Sequence, residues 1–293
     1  MPIAVIAFDF DPLLRLAEGL VVRWQTVALA VVIAAALIAA GLMARRVDLR
    51  PDDLLFIAVG IVPGAVIGGR IGYALLHLDF YGPQLSEVVD PATGGLELGL
   101  AVVGGLLTGA YVARLLGAPI GRWMHLAVMP VLFVLGAGKL TMALGGAGQG
   151  QPSDAGWATA YLGPGPWGSL APALPSAPSQ ILEGAVTLLI ALAFGLALTV
   201  GAFRSRDGRA LLAGLAAWAV GRAIVATTWR DPAVIGPLPM GSVIAIGIAA
   251  GCIVGVLAMT IRPSRTGDPR PVSVEGVPMN ELHWPDPADR SSP

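Results

Sequence analysis

Apolar runs long enough to cross a bilayer recur along this chain, and they leave few folds open to it. A transmembrane helix needs about 20 mostly apolar residues. Seven spans of that kind can be placed, at 24–44, 54–78, 98–116, 123–143, 181–202, 210–228 and 240–261. Of the 293 residues 55% are apolar and 13% charged, with a mean hydropathy of +0.75. Soluble domains carry about 25% charged residues, so a soluble globular fold is excluded. The expectation is an all-α integral membrane bundle of about seven transmembrane helices over residues 1–261. A polar, Pro-rich tail follows at 262–293 and is expected to be disordered in the cytoplasm.

Basic residues then predict orientation. Arg45, Arg46 and Arg50 follow the first span, and Arg114 and Arg122 flank the link between the third and fourth. Arg204, Arg206 and Arg209 follow the fifth span, and Arg262, Arg265 and Arg270 follow the seventh. The alternate loops, 79–97 and 144–180, contain no Lys or Arg, and the third has only Arg230. Positively charged loops stay in the cytoplasm, which places the N-terminus outside and the C-terminus inside. Asp9, Asp11 and Glu18 precede the first span with no basic stretch ahead of it, so that span reads as a retained helix and not as a cleavable signal.

Several classes fall away. The net charge of −1 gives no reason to expect nucleic acid. The single cysteine, Cys252, lies within the last apolar run and reads as a small core residue. Neither a metal-ligand cluster nor a phosphate-binding glycine loop is present in the sequence, so no metal and no cofactor are expected. His77, His125 and His283 stand apart from any nucleophile.

Gly60, Gly64, Gly68 and Gly72 recur every four residues in the second span. That spacing puts them on one helix face, where a neighbouring helix can approach closely. Pro63 and Pro130 are expected to kink the second and fourth spans. The longest outer loop, 144–180, is rich in Gly, Pro and Ser and carries Trp157, Tyr161 and Trp167. It reads equally well as a disordered or interfacial segment with aromatic anchors or as a lid over a site.

Charges inside the spans point to function, because ionisable groups in hydrocarbon are costly. Four qualify: Arg70, Lys139, Glu183 and Arg222, with Lys139 the one lysine of the chain. The three cations lie at a common depth, roughly 9–14 Å below the outer boundary at about 1.5 Å per residue. Glu183 starts the fifth span on the same side, but one carboxylate cannot neutralise three cations. The expected complement is an anion, and arginine's planar fork suits phosphate oxygens. These residues alone therefore suggest a phospholipid headgroup site opening to the outer leaflet. A carrier for an anionic solute would also use such cations, but no internal repeat supports it.

The motifs around these residues resemble the bacterial prolipoprotein diacylglyceryl transferases over about residues 20–245. Arg23-Trp24 precedes the first span as in that family, and Gly69-Arg70-Ile71-Gly72-Tyr73 is similar to its Gly-Ala-Arg-Leu-Gly-Tyr element. Gly104 to Gly109 resembles a Gly-Gly-Leu-rich element. Gly138-Lys139-Leu140 through Gly150-Gln151-Pro152-Ser153-Asp154 resembles the long Gly-Arg-Ile-Gly-Asn block. Pro178 to Glu183 resembles the His-Pro-Ser-Gln-Leu-Tyr-Glu block, and Gly221-Arg222 the Gly-Arg-Phe block. The resemblance implies seven spans in a bacterial plasma membrane. It also implies transfer of a diacylglyceryl group from phosphatidylglycerol to the lipobox cysteine of prolipoproteins, which present it in their signal peptides, with glycerol phosphate leaving. Membrane lipids and those signal peptides are the implied partners. Arg70, Lys139 and Arg222 would hold the lipid phosphate, Lys139 and Arg222 as catalytic cations, with Gln180 and Glu183 orienting them.

The chain departs from the family pattern at defined positions. Val103 and Ala177 stand where the family has histidines, Lys139 where it has arginine, Met142 where it has asparagine, and Ala147 and Ala226 where it has glutamates. Trp229-Arg230-Asp231-Pro232 resembles the following Arg-x-Pro element with its arginine one position late. These replacements raise a second reading: a catalytically inactive paralogue that binds phospholipid or a lipoprotein signal peptide.

Overall fold

The structure is a computed structural model that describes residues 5–90 and 92–261; the expected tail at 262–293 lies outside the described residues. Among these, seven helices are long and apolar enough to cross a membrane. They are α1 (Trp24–Arg46), α2 (Pro51–Leu76), α4 (Leu98–Leu115), α5 (Ile120–Thr141), α6 (Ser179–Thr199), α7 (Arg209–Ala226) and α8 (Met240–Ile261), with a short α3 (Leu78–Tyr81) after α2. Each end falls within one turn of the span read from hydropathy. The molecule is a multi-pass membrane protein. Its outward faces agree: Val59 is 72% exposed, Val31 62% and Leu192 59%. A surface so apolar suits hydrocarbon and not water.

Local chemistry sets the helix starts. α2 opens with Pro51 in its first turn, followed by Asp52 and Asp53 at the positive end of the helix dipole. α4 opens on Glu97, whose carboxylate accepts hydrogen bonds from Gly99 N (2.6 Å) and Leu100 N (2.7 Å). Both α2 and α5 run on past Pro63 and Pro130.

Glycine decides how α2 meets α4. A Cβ on Gly68 would lie 2.1 Å from the Leu100 carbonyl oxygen, and one on Gly64 would lie 2.2 Å from that of Gly104. Backbone therefore packs on backbone, as small residues permit in a membrane. The main core lies among α5, α6 and α7, where Val128, Leu132, Leu211, Leu215 and Trp218 are buried. A second apolar cluster joins Ala40 and Ala44 of α1 to Leu49, Trp123 and Leu126.

The all-α expectation agrees with the spans, and short strands form outside them. Strands β2 (Leu13–Ala17) and β3 (Leu20–Arg23) make an antiparallel hairpin. Its two-residue turn, Glu18-Gly19, has Gly19 at φ +79°, a conformation glycine adopts without steric cost. Strand β1 (Ile6–Phe8) pairs in parallel with β4 (Thr159–Tyr161), and β5 (Ala233–Ile235) pairs with β6 (Leu238–Pro239). Away from helices, backbone polar groups still need partners, and strand pairing supplies them.

Residues 144–180 form a folded cap. Gly150 N donates to Ala177 O (2.7 Å), Gln151 N to Thr228 O (2.8 Å) and Leu162 N to Phe8 O (2.8 Å). Phe8 stacks on Tyr161 with ring centroids 4.9 Å apart, and Phe10 meets Trp167 edge-on at 5.2 Å. Arg230 fastens the cap to the end of α7, donating from Nε to Gly150 O (2.7 Å) and from Nη2 to Ser176 Oγ (2.9 Å).

Candidate functional site

Four ionisable side chains meet at the cap end of the bundle. Arg222, near the end of α7, is 4% exposed. Its Nη2 donates to Glu97 Oε1 (2.8 Å) and its Nη1 to Glu183 Oε1. Lys139, near the end of α5, places Nζ 2.9 Å from Glu183 Oε2. Glu183 thus bridges the two cations, and Glu97 takes the far side of Arg222. Trp229 roofs the cluster: its ring centre lies 4.6 Å from Arg222 Cζ and 5.4 Å from Lys139 Nζ. A cation over an aromatic face in a dry setting is stabilised further.

The cluster corrects the charge count expected from sequence. Two cations meet two carboxylates, so the group is neutral as a whole. The missing carboxylate is Glu97, 3% exposed. An acid at the first residue of an apolar run reads as an ordinary helix cap, and Glu97 is one. Its partnership with Arg222, 125 residues away, leaves no trace in local sequence.

Arg70 is the second correction. It does not join Lys139 and Arg222, despite its matched depth. All five of its N–H groups point at loop carbonyls. Nε donates to Val88 O (2.9 Å), Nη1 to Thr93 O (2.6 Å) and Gly95 O (3.3 Å), and Nη2 to Glu87 O (3.0 Å) and Asp90 O (2.8 Å). Glu97 N in turn donates to Gly69 O (2.9 Å). Arg70 therefore folds the segment that delivers Glu97, and its fork is fully engaged there. Depth along an axis gives no azimuth around it, so equal depth does not bring Arg70 beside Lys139 and Arg222.

Gln180 is the third. It is 1% exposed, but its Nε2 donates to Tyr161 Oη (3.0 Å) and not into the ion cluster. Burial pushes the Tyr161 phenol up to about 12 despite that hydrogen bond. Gln180 ties α6 to the cap one turn ahead of Glu183.

Apart from Lys139, the positions that depart from the family pattern are packed as apolar positions. Ala226 is fully buried and Ala177 is 5% exposed, while Val103 packs against the main core. Met142 lies over Gly148, and Ala147 lies against Gly168. An unpaired polar side chain in such surroundings is costly, and none is present at these five positions.

Seven spanning helices with a buried ion-paired site at one end define a polytopic membrane protein. Comparison with known proteins gives the family. The family model for prolipoprotein diacylglyceryl transferase matches residues 12–258, and the chain belongs to that family. It is 25% identical over 217 residues to the phosphatidylglycerol--prolipoprotein diacylglyceryl transferase of Clostridioides difficile, covering 73% of this chain and 81% of that one. The protein of that name from Acaryochloris marina is 23% identical over 250 residues, 80% of this chain and 86% of its own. The one from Geobacter sulfurreducens is 30% identical over 158 residues, 52% and 57% of the two chains.

Proposed function

We propose that this protein transfers the diacylglyceryl group of phosphatidylglycerol to the lipobox cysteine thiol of prolipoproteins at the outer face of a bacterial inner membrane. In that reaction a carbon–sulfur bond forms at the glycerol carbon. The bond from that carbon to the phosphate oxygen breaks, glycerol phosphate departs, and the thiol proton passes to solvent or to a nearby base. Negative charge grows on the departing phosphate, and preorganised cations in a low-dielectric site stabilise it.

The observation that carries this reading is the state of Lys139. Its side chain is 14% exposed, against 4% for Arg222. Its one ion-pair partner among the described residues is Glu183, although an ammonium has three donors. Lys139 is therefore the cation that meets the phosphate. Arg222, clamped between two carboxylates, fixes Glu183 and through it the lysine, while Trp229 covers both. Arg70 acts one step further out by holding the loop that ends in Glu97.

A second reading, a binding paralogue without turnover, draws on the neutrality of the cluster and on the five apolar replacements. The test is transfer of radiolabelled phosphatidylglycerol diacylglycerol to a lipobox-cysteine peptide, with a motif-complete family member as control. We expect transfer that falls at least about 100-fold in Lys139→Ala, the size typical of losing one charge-stabilising group. No transfer beside an active control would overturn the enzyme and leave the binding paralogue.

A further inference from the structure

A second basic site lies at the other end of the bundle, where the loop from α6 to α7 meets the start of α5. A pocket of about 350 Å³ opens there, lined by His125, Leu198, Gly201, Phe203, Arg204 and Arg206. Its two guanidinium groups have no carboxylate within ion-pair distance among the described residues. Three other arginines at this end are engaged by the protein itself. Arg209 pairs with Asp207 at 2.8 Å, Arg50 approaches Asp53 at 4.0 Å, and Arg122 donates to the Val47 carbonyl. Asp207 lies next in the chain to Arg206 but is committed to Arg209. Burial raises the Asp207 carboxyl, while hydrogen bonds from Arg209 and Ser205 and the Arg209 charge more than offset that and leave it below the usual range.

The loop is shaped around these charges. Gly201, at φ +87°, lets the Arg204 guanidinium lie across it, since a Cβ there would sit 2.8 Å from Nε. Phe203 and Arg206 also take positive φ, +58° and +48°. His125 lines the pocket, and its Nδ1 is buried with no hydrogen-bond partner among the described residues. Leu198 and Phe203 add apolar side chains to the lining, and Phe203 stacks on Phe194 at 6.1 Å. Arg204 and Arg206 are exposed and line this pocket together with His125.

We propose that this pocket binds a phosphate-bearing anion through Arg204, Arg206 and His125, at a site separate from the Lys139–Arg222 cluster. Two planar forks match phosphate oxygens. Leu198 and Phe203 extend the fit to the glycerol and upper acyl carbons of a lipid headgroup, and free inorganic phosphate offers the same oxygens without them.

The test uses the full purified chain and counts phosphatidylglycerol molecules retained in native mass spectrometry, in wild type and in Arg204→Gln/Arg206→Gln. We expect the double variant to hold one lipid fewer, with affinity for that lipid weakened about tenfold or more. Equal retention would overturn the site. Arg204→Lys/Arg206→Lys keeps the charge but loses the forks, and it decides the matter if the glutamine pair does not fold: weaker retention upholds the site and wild-type retention removes it. Inorganic phosphate separates the two sources. If it raises the melting temperature of wild type and not of the lysine pair, free phosphate fills the pocket; if only lipid separates the two proteins, the headgroup does.

Discussion

Glu97 does two things with one carboxylate. It caps α4 by accepting from two backbone N–H groups, and it takes one side of the Arg222 fork. Removing one partner of a buried ion pair strands the other, at about 3–5 kcal/mol. Glu97→Ala removes both roles and Glu97→Gln removes mainly the charge. Both are expected to lower the melting temperature in detergent, alanine more than glutamine. An unchanged melting curve would mean that the network contributes nothing to stability. At this scale the sequence was half legible. Lys139, Glu183 and Arg222 stand out because charge inside an apolar span is rare. Glu97 hid at a span boundary, where an acid needs no special explanation. The destination of Arg70 was hidden as well, because its partners are carbonyls, which every residue has.

The pairing of α2 with α4 shows how an element-level pattern acts. A four-residue glycine repeat announces a close helix contact but not the partner. The structure supplies it: Leu100 and Gly104 present carbonyl oxygens to Gly68 and Gly64. Gly68→Ala is expected to cost about 1–3 kcal/mol, the usual range for overpacking, because a backbone oxygen cannot step aside as a side chain can. Gly247, in α8, meets nothing within 4 Å of an added Cβ. Gly247→Ala should leave the melting temperature unchanged or raise it slightly, since alanine favours helix by about 0.8–1.0 kcal/mol. Equal effects from the two substitutions would show that helix propensity, and not the α2–α4 contact, sets the response. The short strands were not read from the sequence: the β2–β3 hairpin turns on Glu18-Gly19, which is not one of the usual two-residue hairpin turns, and the parallel pairing of β1 with β4 joins segments about 150 residues apart.

For the whole molecule, alternating charge predicts which end faces the cytoplasm. The arginine-rich loops after α1, α4 and α6 gather at one end, and the folded cap and the ion cluster gather at the other. In a Cys252→Ser background, a membrane-impermeant maleimide on intact cells should label Ser86→Cys and leave Ser205→Cys unlabelled until the cells are opened. Both positions are exposed, so access to the protein surface does not confound the comparison. The reverse pattern would invert the topology and move the Lys139–Arg222 cluster to the cytoplasmic side, which would contradict the proposed reaction.

Span number, span limits and the presence of charge within the spans were determined by sequence alone. Each follows from the free energy of moving one residue after another into hydrocarbon, a property local to the chain. Which charges meet was decided only by the tertiary structure. Helix rotation and packing set the direction each side chain takes around its axis, and no one-dimensional depth carries that angle. The same packing turned an expected surplus of three cations into a neutral quartet of Lys139, Arg222, Glu97 and Glu183 and sent Arg70 to a loop. It also left Arg204 and Arg206 without a carboxylate partner among the described residues at the opposite end, because the acid nearest them along the chain had folded onto Arg209.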